Sequence, residues 1–402
     1  MALMPVADAY AAVLKDAAAL SEETIALIDA HHRTLARDIA ALRTQPPAAM
    51  SAMDGYAVRA ADARSGARLK VIGEVAAGRP FNDAIGAGQA ARIFTGGVIP
   101  DGADAVVIQE DTTRDGDIVI VNEASTPGKN IRFAGIDFKE GDVLLPRGTR
   151  LNDRALALAA GMNHPHLPVH RRPRIAILAT GDELVAPGSS LAPGQIIFSN
   201  VFALSALIRS EGGDPIDLGI ARDTLDSTSS GIRRARDLGV DVLVTTGGAS
   251  VGDHDLVQTA LKAEGVDMAF WKIALRPGKP MMHGRLGPMR VLGLPGNPVS
   301  SYVCAFLFLV PLIRALSGRT VVDHPLEQAV LGRDMPANDK RQDYLRARLD
   351  VGSDGLPVAT SVGAQDSSLV ANLAAANALI IRPPFAPAAP AGSLCTILRL
   401  PG

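Results

Sequence analysis

Cysteine is almost absent from this chain: its 402 residues hold only Cys304 and Cys395. Two thiols so far apart exclude a disulfide framework and fit no zinc site. Aromatic residues are scarce, with a single tryptophan, Trp271. Neither sign of charge dominates. The net charge is −2, so no basic field draws nucleic acid or an anionic membrane. Long apolar runs are missing too. The strongest, Val303 to Ile313, is broken by Pro311 and followed by Arg314, so it reads as a buried core helix rather than a membrane span. The first residues, Met1-Ala-Leu-Met-Pro-Val6, show no basic segment leading into an apolar one. No signal peptide is expected, and a cytoplasmic location is.

What the chain does have is apolar material, 47% of it, enough for more than one core at this length. Four segments share one grammar, a strand-like apolar run and then a turn rich in Gly, Pro or acid. They begin at Arg174, Pro215, Val240 and Arg290 and end at Glu183, Asp223, Gly248 and Pro298. Helix-like stretches separate them, which predicts a parallel sheet. Ligands of such sheets sit at the carboxyl ends of the strands, where these four turns converge. The turns offer backbone N–H groups for phosphate and carboxylates for a hard cation.

The rest of the chain predicts a multi-domain α/β plus β protein. Residues 7–43 read as helix, rich in Ala and Leu, up to Pro46-Pro47. Residues 46–141 read as a β-rich domain, with strand-like runs at Leu69–Val75, Ala105–Ile108 and Asp117–Val121. Helical pattern returns at residues 151–160, so the β-rich part is expected to be an insertion into a helical and linker domain made of residues 1–45 and 142–172. The stretch His164–Pro173 reads as a Pro-punctuated exposed connector. An α/β domain follows over 173–321, then a small β-barrel-like domain over 322–402.

Gly247-Gly248-Ala249-Ser250-Val251-Gly252-Asp253-His254-Asp255 is the most informative stretch. Its glycines after a strand let a backbone approach an anion closely, and Asp253 or Asp255 can serve Mg²⁺ or cap the next helix. Gly248-x-Ser250-x-Gly252 also spells a hydrolase nucleophile elbow, with Asp267 and His283 downstream, but no oxyanion segment precedes it. Thr180-Gly-Asp182-Glu183 and Asp223 place carboxylates at two further strand ends. Lys272, Arg276 and Lys279 can clamp phosphate oxygens, and the turn Pro295-Gly-Asn-Pro298 can wall a pocket. Gly86-x-Gly88-x-x-Ala91 is rejected as a dinucleotide fingerprint because no apolar strand precedes it. His164, His166 and His170 are set aside as metal ligands because prolines and arginines surround them.

With these residues in place, the chain resembles the molybdopterin molybdenumtransferase family, the MoeA-type relatives of the gephyrin E domain. The resemblance spans nearly the whole length. It is carried by Ser51-Ala-Met-Asp-Gly-Tyr-Ala57, by Arg92 to Val107 with Gln109-Glu110, by Thr180–Glu183, by Gly247–Gly252 with Asp255, by Arg276-Pro-Gly-Lys-Pro280 and by Leu294–Ser300. It implies insertion of molybdate into adenylylated molybdopterin, with Mg²⁺ and release of AMP. It also implies a homodimer whose site lies between the α/β domain of one subunit and the inserted domain of the other. A molybdopterin adenylyltransferase and recipient molybdoenzymes are implied as partners.

The family's site residues fall here on Asp54, Thr95 and Asp137 in the inserted domain. In the α/β domain they fall on Glu183, Asp223, Asp255, Lys272, Arg276, Pro295 and Pro298, and in the last domain on Ser367. By charge, Glu183, Asp223 and Asp255 are expected to hold Mg²⁺ or order a water. Lys272, Arg276 and Lys279 are expected to neutralise oxyanions, and Gly247, Gly248, Ser250 and Gly252 to cradle a phosphate. One departure stands out: Ala48-Ala49 replaces the family's usual Phe-Asp. The alternative readings are an adenylyltransferase, which would consume ATP, and a non-catalytic scaffold on the same fold.

Overall fold

The computed structural model describes residues 3–79, 81–247, 256–352 and 355–401. Of the helix expected over residues 7–43, only Val6–Leu14 forms. Glu22–Ala26 is instead a strand, paired antiparallel with His166–His170. Alanine and leucine favour helix only weakly, and tertiary burial overrides them. Leu35, Ile39, Leu167 and Val169 are buried in one cluster with Ala155 and Ala159 of the Asp153–Gly161 helix. The exposed connector expected at His164–Pro173 is therefore corrected to a strand. Pro168 has no N–H to donate, but its carbonyl still accepts from Ala36 N at 3.0 Å on the strand's second edge. Two of the stretch's three histidines are engaged by backbone carbonyls. His170 Nδ1 lies 2.7 Å from Leu20 O, and His164 Nε2 lies 2.8 Å from Ala40 O.

Between the two halves of that cluster lies a separate six-stranded sheet. Its strand order is Ala105–Ile108, Gly55–Val58, Gln89–Ile93, Arg68–Val75, Ile118–Val121, Thr112–Asp115. It has its own buried residues, among them Val58, Leu69, Val107 and Val119. Gly86–Gly88 leads into one of these strands rather than a helix, as rejection of a dinucleotide fingerprint requires.

The central sheet runs Asp214–Ala221, Arg174–Thr180, Val242–Thr246, Met289–Leu294, Met282–Leu286, Asp267–Trp271. The first four strands are parallel, as the sequence predicts. The last two are antiparallel additions. Apolar clusters cover both faces, which is why Ile175–Thr180 and Val242–Thr246 are buried residue after residue. The apolar run at 303–313 lies within Pro298–Leu316, a helix long and apolar enough to cross a membrane but 83% buried in protein. Pro311 lacks an N–H and would strike the carbonyl one turn back, and the helix widens into a π turn at Ala305–Leu309 just before it.

The C-terminal strands Gln342–Val351, Pro357–Ser361, Leu326–Leu331, Leu394–Arg399 and Ala378–Arg382 close on themselves, because the first also pairs with the last. Leu275–Arg276 from the central unit adds to this barrel beside Gln342 and Asp343.

A buried ion triad ties the core helix to the central unit. Glu211 meets Arg314 at 3.0 Å and Arg319 at 2.7 Å, all three side chains being nearly inaccessible. Burial pushes the Glu211 carboxyl up, but the hydrogen bonds and charges of the two arginines outweigh it and hold it below the usual carboxylate range. A folded-state value below the unfolded one, which is about 4.3, stabilises the fold above that pH. The contribution is lost as pH falls through the lower folded value. Glu211→Ala leaves two guanidiniums buried without their carboxylate, at an expected cost of about 3–5 kcal/mol in urea denaturation at pH 7. A midpoint that does not move at pH 7 would sink this assignment.

Candidate functional site

The parallel strands end together at a cleft of about 820 Å³. Thr180 and Thr246 terminate two adjacent strands, and Asp223 and Pro295 follow two others; all four line it, as the switch-point rule predicts. Glu183, Gly247 and Pro298 join them. The turns are drawn tight. Gly247 has a φ of +95°, and a Cβ there would lie 2.4 Å from Thr180 O. Asp182 and Asp223 exchange backbone-to-carboxylate hydrogen bonds, Asp182 N donating to Asp223 Oδ2 at 3.3 Å and Asp223 N to Asp182 Oδ1 at 3.2 Å. This exchange locks the two acid-bearing turns to each other.

The floor of the cleft carries polar groups in need of a partner. The hydroxyls of Thr180 and Thr246 are buried and make no hydrogen bond among the described residues. Such groups are stable when a ligand or water satisfies them. Asn297 donates to Ser367 Oγ at 2.7 Å, which brings the C-terminal Ser367 against the Pro295–Pro298 turn. Asn200 donates to Gly296 O at 2.8 Å on the other side of that turn. The sequence reading singles out the prolines of this turn and passes over Asn297, Asn200, Thr246 and the neighbouring Ser368. Thr246 is discoverable, since it sits immediately before Gly247 at a strand end.

The three expected cations do not line this cleft among the described residues. Lys272, at φ +75°, lays its ammonium 3.9 Å from the Trp271 ring centroid. Of the Arg276–Pro280 segment, Pro280 reaches the cleft. Arg276 turns toward the barrel, pairing with Asp339 at 2.7 Å and Asp343 at 3.0 Å. Both acids line a neighbouring cavity of about 400 Å³. Burial raises the Asp343 carboxyl above its ordinary value, against the pull of Arg276. The Lys279 carbonyl accepts a hydrogen bond from Ile273 N at 2.9 Å. Gly248, Ser250, Gly252, Asp253 and Asp255 lie outside the described residues. The hydrolase reading loses its histidine: His283 is buried within a central strand, with Nδ1 2.9 Å from Val291 O.

Asp54 and Thr95 are brought together in the separate six-stranded unit. Asp54 Oδ1 accepts from Thr95 N at 2.7 Å and from Thr95 Oγ1 at 2.8 Å. These two bonds hold the exposed Asp54 carboxyl below its ordinary range. Asp137 is exposed, and its N–H donates to Gln45 O at 3.1 Å. None of these three residues lines the cleft. No group of three metal-ligating side chains occurs among the described residues.

Comparison with known proteins places these features in one context. Residues 4–162 match the model of the MoeA N-terminal region (domain I and II). Residues 176–315 match a probable molybdopterin binding domain, and residues 328–400 the MoeA C-terminal region (domain IV). The chain is 36% identical to the molybdopterin molybdenumtransferase of Nostoc sp., over 94% of this chain and 89% of that one. It is 37% identical to the protein of that name from Bacillus subtilis, over 90% and 86% of the two chains. The fold superposes on the molybdopterin biosynthesis MoeA protein of Pyrococcus horikoshii with a TM-score of 0.83, at 31% identity and over the whole of both chains.

Proposed function

Because the chain belongs to the molybdopterin molybdenumtransferase family, we propose that it acts in molybdenum cofactor biosynthesis, moving molybdenum from molybdate into adenylylated molybdopterin as AMP leaves. The observation that carries this reading is the cleft itself. Carboxylates, unsatisfied hydroxyls and tight glycine turns from separate strands meet at one sheet edge, where an open α/β fold takes phosphorylated ligands.

The donor set suits Mg²⁺. Glu183 and Asp223 are hard oxygen donors lining the same cleft as Thr180 and Thr246, and Mg²⁺ takes only one or two carboxylates along with waters and phosphate oxygens. Glu183 and Asp223 would hold the ion, with Asp255 as the third acid carried by the resemblance. When bound, it would neutralise phosphate charge that a cleft lined by two acids would otherwise repel. The chain's own residues do the rest. Gly247 keeps the backbone close to the ligand, Pro295 and Pro298 hold the wall rigid, and Asn297 anchors Ser367 against it. Lys272 and Lys279 line no part of the cleft, so charge and the resemblance alone assign them to oxyanion charge.

Asp54, Thr95 and Asp137 complete the site from a second copy of the chain. What supports this is that none of the three lines the cleft, and that Asp54 and Thr95 sit on a separate sheet. A non-catalytic scaffold would need none of the cleft acids. Purified protein given adenylylated molybdopterin, Mg²⁺ and molybdate will release AMP in proportion to molybdate, and chelation of Mg²⁺ will stop it. Release that needs ATP, or none at all from a protein that binds the nucleotide, would reject the transferase.

A further inference from the structure

The exposed Asp54 carboxylate is fixed by a clamp behind it. Arg92 stands opposite Tyr56 in the antiparallel pairing of Gly55–Val58 with Gln89–Ile93. Its guanidinium lies 5.2 Å from the Tyr56 ring centroid and 4.9 Å from that of Phe94. One terminal nitrogen donates to Gly55 O at 3.1 Å. The other donates to the Gln109 side-chain oxygen. Gln109 in turn gives its backbone N–H to Asp54 O at 3.0 Å. The carbonyls of Asp54 and Gly55 are thus both held, while Thr95 holds Oδ1 of the carboxylate from the front. Asp54 Oδ2 makes no hydrogen bond among the described residues. A planar, two-pronged guanidinium between two rings can do this; a lysine ammonium supplies the charge without the fork.

We propose that Arg92 and Gln109 are positioning residues that hold the Asp54 carboxylate in its ligand-facing direction without touching the ligand. The inference rests on the reading of Asp54 as part of the transferase site. Its test uses Arg92→Lys and Gln109→Ala, with Asp54→Asn and Thr95→Val as references. Two quantities are read: the titration of the Asp54 carboxyl by carbon NMR, and kcat and KM for AMP release. In both clamp variants the Asp54 carboxyl will titrate at higher pH, in the direction Thr95→Val gives. In both, kcat will fall roughly tenfold to a hundredfold, the range for a misplaced group, with KM little changed. Gln109 is exposed, so Gln109→Ala decides the matter even if Arg92→Lys disturbs the sheet. A kcat that falls while the Asp54 titration stays put would mean a merely structural role and overturn the clamp, as would no change in either. Full activity in Asp54→Asn would instead overturn the underlying reading of Asp54, while the titration still judges the clamp.

Discussion

Protein carrying Glu183→Gln and Asp223→Asn together will fold as the parent does and release AMP roughly a thousandfold more slowly. Both residues follow strands of the central sheet and face the same cleft. The amides keep size and shape. With Asp223→Asn, the new amide oxygen can still accept the hydrogen bond from Asp182 N that now goes to Asp223 Oδ2. The turn therefore survives and only negative charge is lost. On the proposed reading, the lost charge removes the carboxylates that would hold Mg²⁺, and the phosphate link keeps its own repulsion. Excess Mg²⁺ will not restore the double variant. A rate within tenfold of the parent would place the reacting phosphate elsewhere.

The second large effect is on stability. Gly55 opens an inner strand of the six-stranded sheet, paired on one side with Ile93 and on the other with Ile108. A Cβ at this position would lie 2.0 Å from Val107 O and 2.9 Å from the Ile108 Cα. Both are backbone atoms of a paired strand, so no side chain can swing aside. Gly55→Ala is expected to destabilise the protein by about 3 kcal/mol, through overpacking that the sheet cannot relax. Urea denaturation with fluorescence or circular dichroism measures it. The residue directly before it is Asp54, so activity will fall with stability, while nucleotide binding at the cleft of the central unit persists. Parental stability in Gly55→Ala would contradict the strand register.

The parallel heart of the fold was readable because its strands are buried on both faces. Ile175–Thr180 and Val242–Thr246 are short apolar runs closed by turn residues, and each run carries its own signal. The N-terminal segment was not. Glu22–Ala26 is a strand only because His166–His170, far along the chain, lies beside it. Its two glutamates and the alanines around it look helical in isolation, and Pro168 disguises the partner. Likewise nothing local to Arg276 announces its ion pairs. They exist because Leu275–Arg276 adds to the barrel next to Gln342 and Asp343. Acids at strand ends are legible, since a strand end is a local feature. The destination of a long cation depends on which unit it meets.

The most direct test follows the metal itself. The protein is incubated with adenylylated molybdopterin, Mg²⁺ and graded molybdate. AMP is counted, and the product is offered to an apo-molybdoenzyme that needs finished cofactor. The predicted result is one activated apo-enzyme site for each AMP released, with neither appearing when molybdate is left out. AMP released at full rate without molybdate, or AMP released with molybdate but no cofactor able to activate the apo-enzyme, would contradict molybdenum insertion at this cleft.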